Sequence, residues 1–137
     1  MLGYLGVVFA TLPPGKALAF IAVHQGLFGL YLGCTFAPNH KGMPMATDDM
    51  DYLRKQVITS RDVTGGKLID VALGGLNHQI EHHLFPNMPT PNLRRAKPIV
   101  REYCAEIGVP YAESSLIASY RQALTHLHRV GAPLRAR

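Results

Sequence analysis

The first 37 residues form an apolar region that a charge hardly interrupts. Residues 16 to 37, KALAFIAVHQGLFGLYLGCTFA, include about 21 consecutive residues without a formal charge. At roughly 1.5 Å of rise per residue, a helix of this length spans the roughly 30 Å of a hydrocarbon core. The pattern therefore predicts one membrane crossing. A buried helix of a soluble protein is the alternative, but such helices seldom run so long without a charge.

A shorter apolar segment precedes this span. Residues 1 to 12, MLGYLGVVFATL, are too few to cross a bilayer, and the PPG that follows predicts a tight turn. We expect residues 1 to 37 to form a transmembrane hairpin whose first helix is truncated, as in a C-terminal piece of a longer protein. His24 and Gln25 lie near the middle of the span and should face protein or a cavity rather than lipid.

After residue 37 the pattern changes to short amphipathic segments separated by proline and glycine. It predicts a loop at 37 to 44, a helix at 48 to 60, and a helix at 65 to 85 that Gly74 and Gly75 weaken. A further helix runs from an Asn92 N-cap to about Ile107, and a last one covers about 113 to 130. The predicted fold class is all-α: membrane helices followed by a helical cap region, residues 38 to 137, within one domain.

Charge is divided between the two regions. Residues 1 to 37 hold one charged side chain, Lys16, whereas the rest of the chain carries thirteen Lys or Arg and nine Asp or Glu. Lys and Arg near the ends of a span favour the cytoplasmic side, and Lys41, Arg54 and Lys55 all follow the span. The pattern therefore predicts an integral membrane protein whose C-terminal region is cytoplasmic.

Residues 77 to 86, NHQIEHHLFP, hold three of the seven histidines. Read from His78, the segment is H-x-x-E-H, a spacing found in inverted zinc peptidases. In that interpretation His78 and His82 bind zinc and Glu81 acts as general base, with a third ligand from elsewhere in the chain. This interpretation makes the protein a membrane zinc hydrolase.

Read from Gln79, the same segment is Q-x-x-H-H. On a helix Gln79 lies three and four positions before His82 and His83, so the three side chains can converge on one site. Imidazole suits iron and zinc, whereas a glutamine is a better hydrogen-bond partner than metal ligand. Asn39 and His40 form a second unusual polar site directly after the span.

The longer segment GGLNHQIEHHLFPNMPTPNLRRAKPIVREYC resembles the third histidine box and following helix of the membrane fatty-acid desaturases. It is similar to the branch in which glutamine replaces the first histidine of that box. The similarity continues through FAPNHKGMP, LRKQVITSRDV and EIGVPY, so it covers roughly residues 30 to 130. The resemblance implies a non-haem di-iron enzyme that inserts a double bond into a long acyl chain. Such an enzyme uses dioxygen and electrons from an external donor, a ferredoxin-like or haem carrier protein.

The resemblance also implies roles for single residues. His82 and His83 fall on metal ligands of the box, and His40 falls on the extra histidine that follows the last transmembrane helix. Gln79 takes the replaced first position.

Further residues are expected to support these ligands or the substrate. Asn39, Gln79 and Glu81 are expected to hold the ligands by hydrogen bonds rather than to bind metal. His24 and Gln25 are candidates for the lining of an acyl tunnel. Membrane lipid is a further expected partner, and nucleic acid is not.

The other two histidine boxes of the family, H-x-x-x-H and H-x-x-H-H, are absent from this sequence. A di-iron site of the family type needs more histidines than His40, His82 and His83, so we predict an incomplete site and an inactive isolated chain. His78 stands where the family usually carries an aromatic residue, which favours the Q-x-x-H-H interpretation. A non-enzymatic remnant of the desaturase fold is the other alternative.

Overall fold

The computed structural model describes residues 1 to 135. Contacts divide the chain into two units, Met1–Cys34 and the remainder from Thr35. Most of the described residues are helical, which confirms the predicted all-α class. Two three-residue strands add a small parallel sheet that the hydrophobic pattern did not predict.

The first unit contains helix α1 (Leu2–Thr11) and most of helix α2 (Pro14–His40). By length and composition α2 can cross a membrane, and within residues 1 to 135 it is the one helix that can. Inside this unit the Tyr4 hydroxyl lies 2.9 Å from His24 Nδ1. The Phe20 ring stacks on the same imidazole with ring centroids 5.6 Å apart. His24 thus has a polar and an aromatic neighbour on the apolar helices.

Helix α2 extends through Pro38 to His40, so the loop predicted from residue 37 begins later than expected. Arg61 explains the extension. Its guanidinium donates to the carbonyl oxygen of Pro38 from Nε at 3.0 Å and from Nη2 at 2.6 Å, and to that of Lys41 at 3.0 Å. The last carbonyls of a helix have no partner within the helix, and Arg61 supplies one. Asn39 and His40 therefore stand on a capped helical turn.

Two short elements follow. Helix α3 (Tyr52–Ile58) is shorter than the predicted helix at 48 to 60, because the Asp51 carboxylate accepts from Arg54 N at 2.8 Å and sets its first turn. Strand β1 (Asp62–Thr64) comes next.

The predicted helix at 65 to 85 is divided in two, so that prediction is wrong in its continuity. Helix α4 (Lys67–Ala72) and helix α5 (Gln79–Leu84) are separated by a turn in which Gly74 and Gly75 have φ of +60° and +79°. Side chains other than glycine rarely adopt this left-handed region. A Cβ on Gly75 would also lie 1.9 Å from Thr90 Cγ2.

The C-terminal elements start with helix α6 (Thr90–Glu106), whose N-cap is Pro89 rather than the predicted Asn92. Strand β2 (Glu113–Ser115) follows and pairs in parallel with β1. Helix α7 (Leu116–Val130) begins where Ser115 Oγ accepts from Ala118 N at 3.3 Å, and helix α8 (Ala132–Arg135) ends the described chain.

The core of the second unit fixes the position of α5. Buried apolar side chains from α3, α5, α6 and the segment after α6 form one cluster: Val57, Ile80, Val100, Cys104 and Val109. Ile80 is fully buried, so one face of α5 is held against its neighbours. The polar side chains on the rest of α5 consequently have fixed directions.

Candidate metal site and its hydrogen-bond network

Three imidazoles meet where α5 lies beside the last turn of α2. The His40 and His83 rings stack with centroids 5.0 Å apart, and the His82 and His83 rings are tilted with centroids 6.0 Å apart. All three side chains are half-buried. The structure thus brings together the three residues that the sequence resemblance assigns to metal.

Asn39 is fully buried beside this cluster. Its Nδ2 atom lies 3.2 Å from the Thr35 carbonyl oxygen, 2.7 Å from that of Leu76 and 3.1 Å from Gln79 Oε1. Carbonyl oxygens only accept, so the two backbone groups require that the amide nitrogen face them. Gln79 Oε1 is therefore an acceptor.

The orientation of the Gln79 amide determines which nitrogen of His83 carries the proton. With Oε1 on Asn39, the Nε2 amide of Gln79 faces His83 Nε2 at 2.8 Å. An amide nitrogen only donates, so His83 Nε2 must carry the lone pair. The proton of His83 then lies on Nδ1, which donates to Ser60 Oγ at 3.0 Å. The contacts of Asn39, Gln79 and Ser60 thus select one tautomer of His83.

The His83 imidazole is also kept neutral. Burial lowers its pKa, and the neighbouring rings of His40 and His82 lower the pKa further because two adjacent charged imidazoles repel. Metal binding requires a neutral imidazole with a free lone pair. Within the described part of the chain, the three rings make no contact with a carboxylate. The ligand nitrogens of His40, His82 and His83 do not all lie within 4.8 Å of one another, so these three residues could hold iron only as part of a larger ligand set.

A second group of possible ligands lies below α5. Among residues 1 to 135, one set of three offers ligand atoms within 4.8 Å of one another: Asp62, His78 and Glu81, all buried. The set contains His78 and Glu81 of the H-x-x-E-H pattern, but Asp62 in place of His82. It is therefore not the ligand arrangement that the zinc-hydrolase interpretation needs.

Tyr111 joins the two carboxyl groups of this set. Its hydroxyl lies 2.8 Å from Asp62 Oδ2 and 2.7 Å from Glu81 Oε1. A phenol has one proton, so it donates to one carboxyl group and accepts from the other. Burial and the charge of Asp62 raise the pKa of Glu81 to about 8, which makes Glu81 the protonated partner. The same surroundings raise the pKa of Tyr111.

Asp62 is the charged partner. Burial alone raises its pKa, but contacts from His78, the Lys97 ammonium, the Ile80 amide and Tyr111 together bring the pKa below its ordinary value. Lys97 Nζ lies 3.2 Å from Asp62 Oδ2, and Ile80 N donates to Asp62 Oδ1 at 3.0 Å. An ammonium group therefore already balances this carboxylate, and the three residues share a hydrogen-bonded and ionic network with Lys97 and Tyr111.

Other predicted site residues lie as follows. Glu81 was expected to hold an imidazole of the box, but its hydrogen bond is to Tyr111. His24 belongs to the first unit, where Gln25 Nε2 lies 3.5 Å from His24 Nδ1. Their place in an acyl tunnel stays a prediction.

Four residues of the network were not singled out from the sequence: Ser60, Arg61, Asp62 and Tyr111. The available signal was their position inside the quoted segments LRKQVITSRDV and EIGVPY. Their partners are distant in the sequence, so a local spacing motif cannot predict these contacts.

Comparison with known proteins supports the resemblance. The family model for fatty acid desaturase matches residues 1 to 115. The chain is 35% identical over 127 residues to an acyl-lipid (9-3)-desaturase of Physcomitrium patens, covering 93% of this chain and 24% of that protein. It is 32% identical over 124 residues to the Delta(6)-fatty-acid desaturase fat-3 of Caenorhabditis elegans, covering 88% and 28%.

A third relative matches a shorter part more closely. The Delta(5) fatty acid desaturase fat-4 of Caenorhabditis elegans is 49% identical over 61 residues, which cover 44% of this chain and 14% of that protein. The chain thus spans at most 28% of the length of these three relatives. No solved structure matches it.

Proposed function

The chain belongs to the fatty acid desaturase family, and we propose that it supplies the third histidine box of an enzyme that inserts a double bond into a long acyl chain. The observation that carries this proposal is the cluster of His40, His82 and His83 with the neutral, oriented imidazole of His83. A pair of histidines that only faces solvent would not need the contact that the buried Gln79 amide makes with His83.

In this proposal His40, His82 and His83 would hold iron together with histidines from the rest of the enzyme. Non-haem iron supplies the oxidising chemistry with dioxygen that removal of hydrogen from an unactivated methylene group demands. The part of this chain is to present neutral nitrogen donors. Gln79 donates to the Nε2 lone pair of His83, so a metal ion at that nitrogen would replace the glutamine amide. The Ser60 contact at Nδ1 would then keep the ring oriented.

The surroundings of the cluster complete the proposal. A long acyl substrate reaches a site beside a membrane span readily, and His24 and Gln25 are the candidates for the tunnel. Electrons come from an external carrier protein, and residues 38 to 137 face the cytoplasm. The three named relatives are an acyl-lipid (9-3)-desaturase, a Delta(6)-fatty-acid desaturase and a Delta(5) fatty acid desaturase. Their names differ in the position of the double bond, so desaturation of an acyl chain is the reaction class that they share. The isolated chain is proposed to be inactive.

A chimeric enzyme tests the function. Residues of this chain replace the 127-residue matching segment of the Physcomitrium patens desaturase, and the fatty acids of a host without the product are analysed by gas chromatography. We expect the chimera to form the unsaturated product, and His82→Gln or His83→Gln to abolish it because each removes an imidazole donor.

Two matched variants complete this test. His128→Gln changes an exposed imidazole on α7 and should leave product unchanged. His78→Phe separates the two interpretations of the histidine segment, since a desaturase should keep its activity and a zinc hydrolase would lose its ligand. Full product from the His82 and His83 variants would contradict the proposal.

A further inference from the structure

Helix α7 turns an apolar face outward. Ile117 is 82% exposed, Leu124 66% and Leu127 48%. Steps of seven and three residues place these three side chains in one stripe along the helix. Val130 and Leu134, 64% and 79% exposed, extend the apolar surface beyond it. The exposed surface of α7 thus combines an apolar stripe with exposed polar and basic side chains, among them Arg121 and Arg129.

The packed face of α7 is built from small and polar residues instead. Ser119 and Ala123 are buried, and Ser119 Oγ lies 2.7 Å from Ser114 Oγ of strand β2. The Gln122 side chain accepts from the Arg61 guanidinium. An amphipathic helix ordinarily buries its apolar side. In α7 the small and polar side chains pack against the protein, and the apolar stripe faces outward.

Charge indicates what covers the outward face. From Leu116 to the end of the chain the sequence has no Asp or Glu, and the described part of it carries Arg121, Arg129 and Arg135. An apolar stripe combined with basic residues is typical of helices that lie in the headgroup region of anionic membranes. A protein partner would need its own acidic rim, whereas an anionic bilayer supplies both the apolar and the acidic component.

One further observation makes a lipid surface the occupant to test. Helix α2 is long and apolar enough to cross a bilayer, so this chain is itself a membrane protein candidate. The family match ends at residue 115, directly before α7, so the outward face lies beyond the part that the family model describes. The inference therefore does not rest on the desaturase proposal.

We propose that α7 is an interfacial helix that binds the surface of an anionic bilayer. Ile117, Leu124 and Leu127 enter the region between headgroups and acyl chains, while Arg121 and Arg129 bind lipid phosphates. Docking at this surface holds the second unit against the membrane.

The absence of tryptophan from the chain permits a direct test. The full chain carrying Leu124→Trp is reconstituted into phosphatidylcholine vesicles with phosphatidylglycerol, with and without lipids brominated close to the headgroup. We expect blue-shifted emission and about twofold quenching by the brominated lipid, as for a side chain at the headgroup boundary. Thr125→Trp, next in sequence but outside the stripe, should emit as in water and resist quenching.

The electrostatic part is tested in the same background. Arg121→Gln with Arg129→Gln should reduce the quenching of Leu124→Trp, as should neutral vesicles or high salt, because lipid phosphates lose their partners. Ile117→Trp repeats the measurement at a second stripe position in case Leu124→Trp folds poorly, and circular dichroism checks helicity.

Each other outcome overturns the proposal. A blue-shifted but unquenched Leu124→Trp means that protein covers the stripe, either a second copy or another segment. Water-like emission means that the stripe is solvated. Equal quenching of Leu124→Trp and Thr125→Trp means that α7 does not lie with its stripe toward lipid.

Discussion

At the scale of single residues, the candidate site depends on one buried amide. Asn39 faces two backbone carbonyls, and that arrangement settles how Gln79 points and where the proton of His83 lies. Glutamine at this position of the box thus serves as a relay between the end of α2 and an imidazole of α5. A histidine at this position would offer a ring nitrogen to a metal ion, whereas the Gln79 amide donates to His83.

Asn39→Ala tests this relay. The substitution leaves the Leu76 carbonyl, which accepts from Asn39 at 2.7 Å, without its partner in a buried site. We expect a loss of about 2 to 3 kcal/mol in the free energy of unfolding, since an orphaned buried polar group costs about 1 to 3 kcal/mol and a cavity adds to it. Thermal unfolding of the detergent-solubilised chain measures the loss.

Asn87→Ala is the matched control for that measurement. Asn87 is exposed between α5 and α6 and makes no hydrogen bond with the described residues, so its loss should change the free energy of unfolding by less than about 0.5 kcal/mol. Equal effects of the two alanines would show that Asn39 is not the support that its contacts indicate.

At the scale of elements, the turn between α4 and α5 sets the direction of the histidine helix. Gly74 and Gly75 share a left-handed backbone, but their surroundings differ. A Cβ on Gly74 would meet open space, whereas a Cβ on Gly75 would meet Thr90 at the start of α6. Glycine at 75 is thus required both by conformation and by close approach.

The two alanine variants separate these effects. Gly74→Ala should cost about 1 kcal/mol of the free energy of unfolding, the strain of a left-handed alanine. Gly75→Ala should cost at least about 2 kcal/mol, because overpacking adds to the strain. In the Gly75→Ala background, Thr90→Ser removes the clashing methyl and should return part of that loss. A Gly75 effect no larger than that of Gly74 would mean that the contact is not tight.

The pairing of β1 with β2 also places two carboxylates side by side. Asp62 and Glu113 are register partners, and Lys97 of α6 bridges them, with Nζ 3.2 Å from Asp62 Oδ2 and 2.7 Å from Glu113 Oε1. Burial lowers the pKa of Lys97, but the two carboxylates outweigh it and raise the pKa overall. The bridge therefore stays charged throughout the physiological range.

Lys97→Met should cost about 3 kcal/mol at neutral pH, because it leaves the buried Asp62 charge uncompensated. The folded protein lowers the pKa of Asp62, so the stability it contributes is present above the ordinary carboxyl pKa and lost as pH falls through the folded value. The difference between wild type and variant should thus shrink below about pH 4. Urea unfolding followed at several pH values measures it.

Lys67→Met is the control for this series. Lys67 is exposed and has no ion pair among residues 1 to 135, so its replacement should be nearly neutral at every pH. A Lys97 effect that stayed constant down to pH 3 would point to lost packing of the lysine stem rather than to charge.

The sequence predicted the long elements better than the short ones. The length of the uncharged run located α2, and residues typical of helix ends located α6 and α7, because each of these helices is long enough to stand out between such signals. Strands β1 and β2 have three residues each, too few to show alternation, and they are stabilised by pairing with each other rather than by local preference. The sequence did not predict the break within residues 65 to 85. A pair of glycines weakens a helix, but it does not show whether the helix is interrupted there.

The same distinction holds for the candidate site. His40, His82 and His83 could be named from sequence because a resemblance carries ligands residue by residue. Ser60 and Tyr111 could not, since their roles exist only after folding brings them to His83 and to Glu81. Supporting contacts are tertiary, and spacing along the chain does not reveal them.

At the scale of the whole molecule, the distribution of histidines is the basis for the proposal that this chain alone holds an incomplete iron site. Of the seven, three form the cluster and His78 lies in the carboxylate network. His24 belongs to the first unit, and His126 and His128 stand on α7. Two iron ions held by imidazole need further donors than three neighbouring rings provide.

Iron content tests this limit. The purified 137-residue chain, loaded anaerobically with ferrous iron and desalted, should retain fewer than two irons per chain by mass spectrometry and form no unsaturated product. Assembly of the chain with the preceding part of the Physcomitrium patens desaturase should raise iron content and restore product, because the missing donors are then present. His82→Ala should reverse that gain and His128→Ala should not. Two irons retained by the chain alone would overturn the shared-site proposal, since three clustered imidazoles would then suffice.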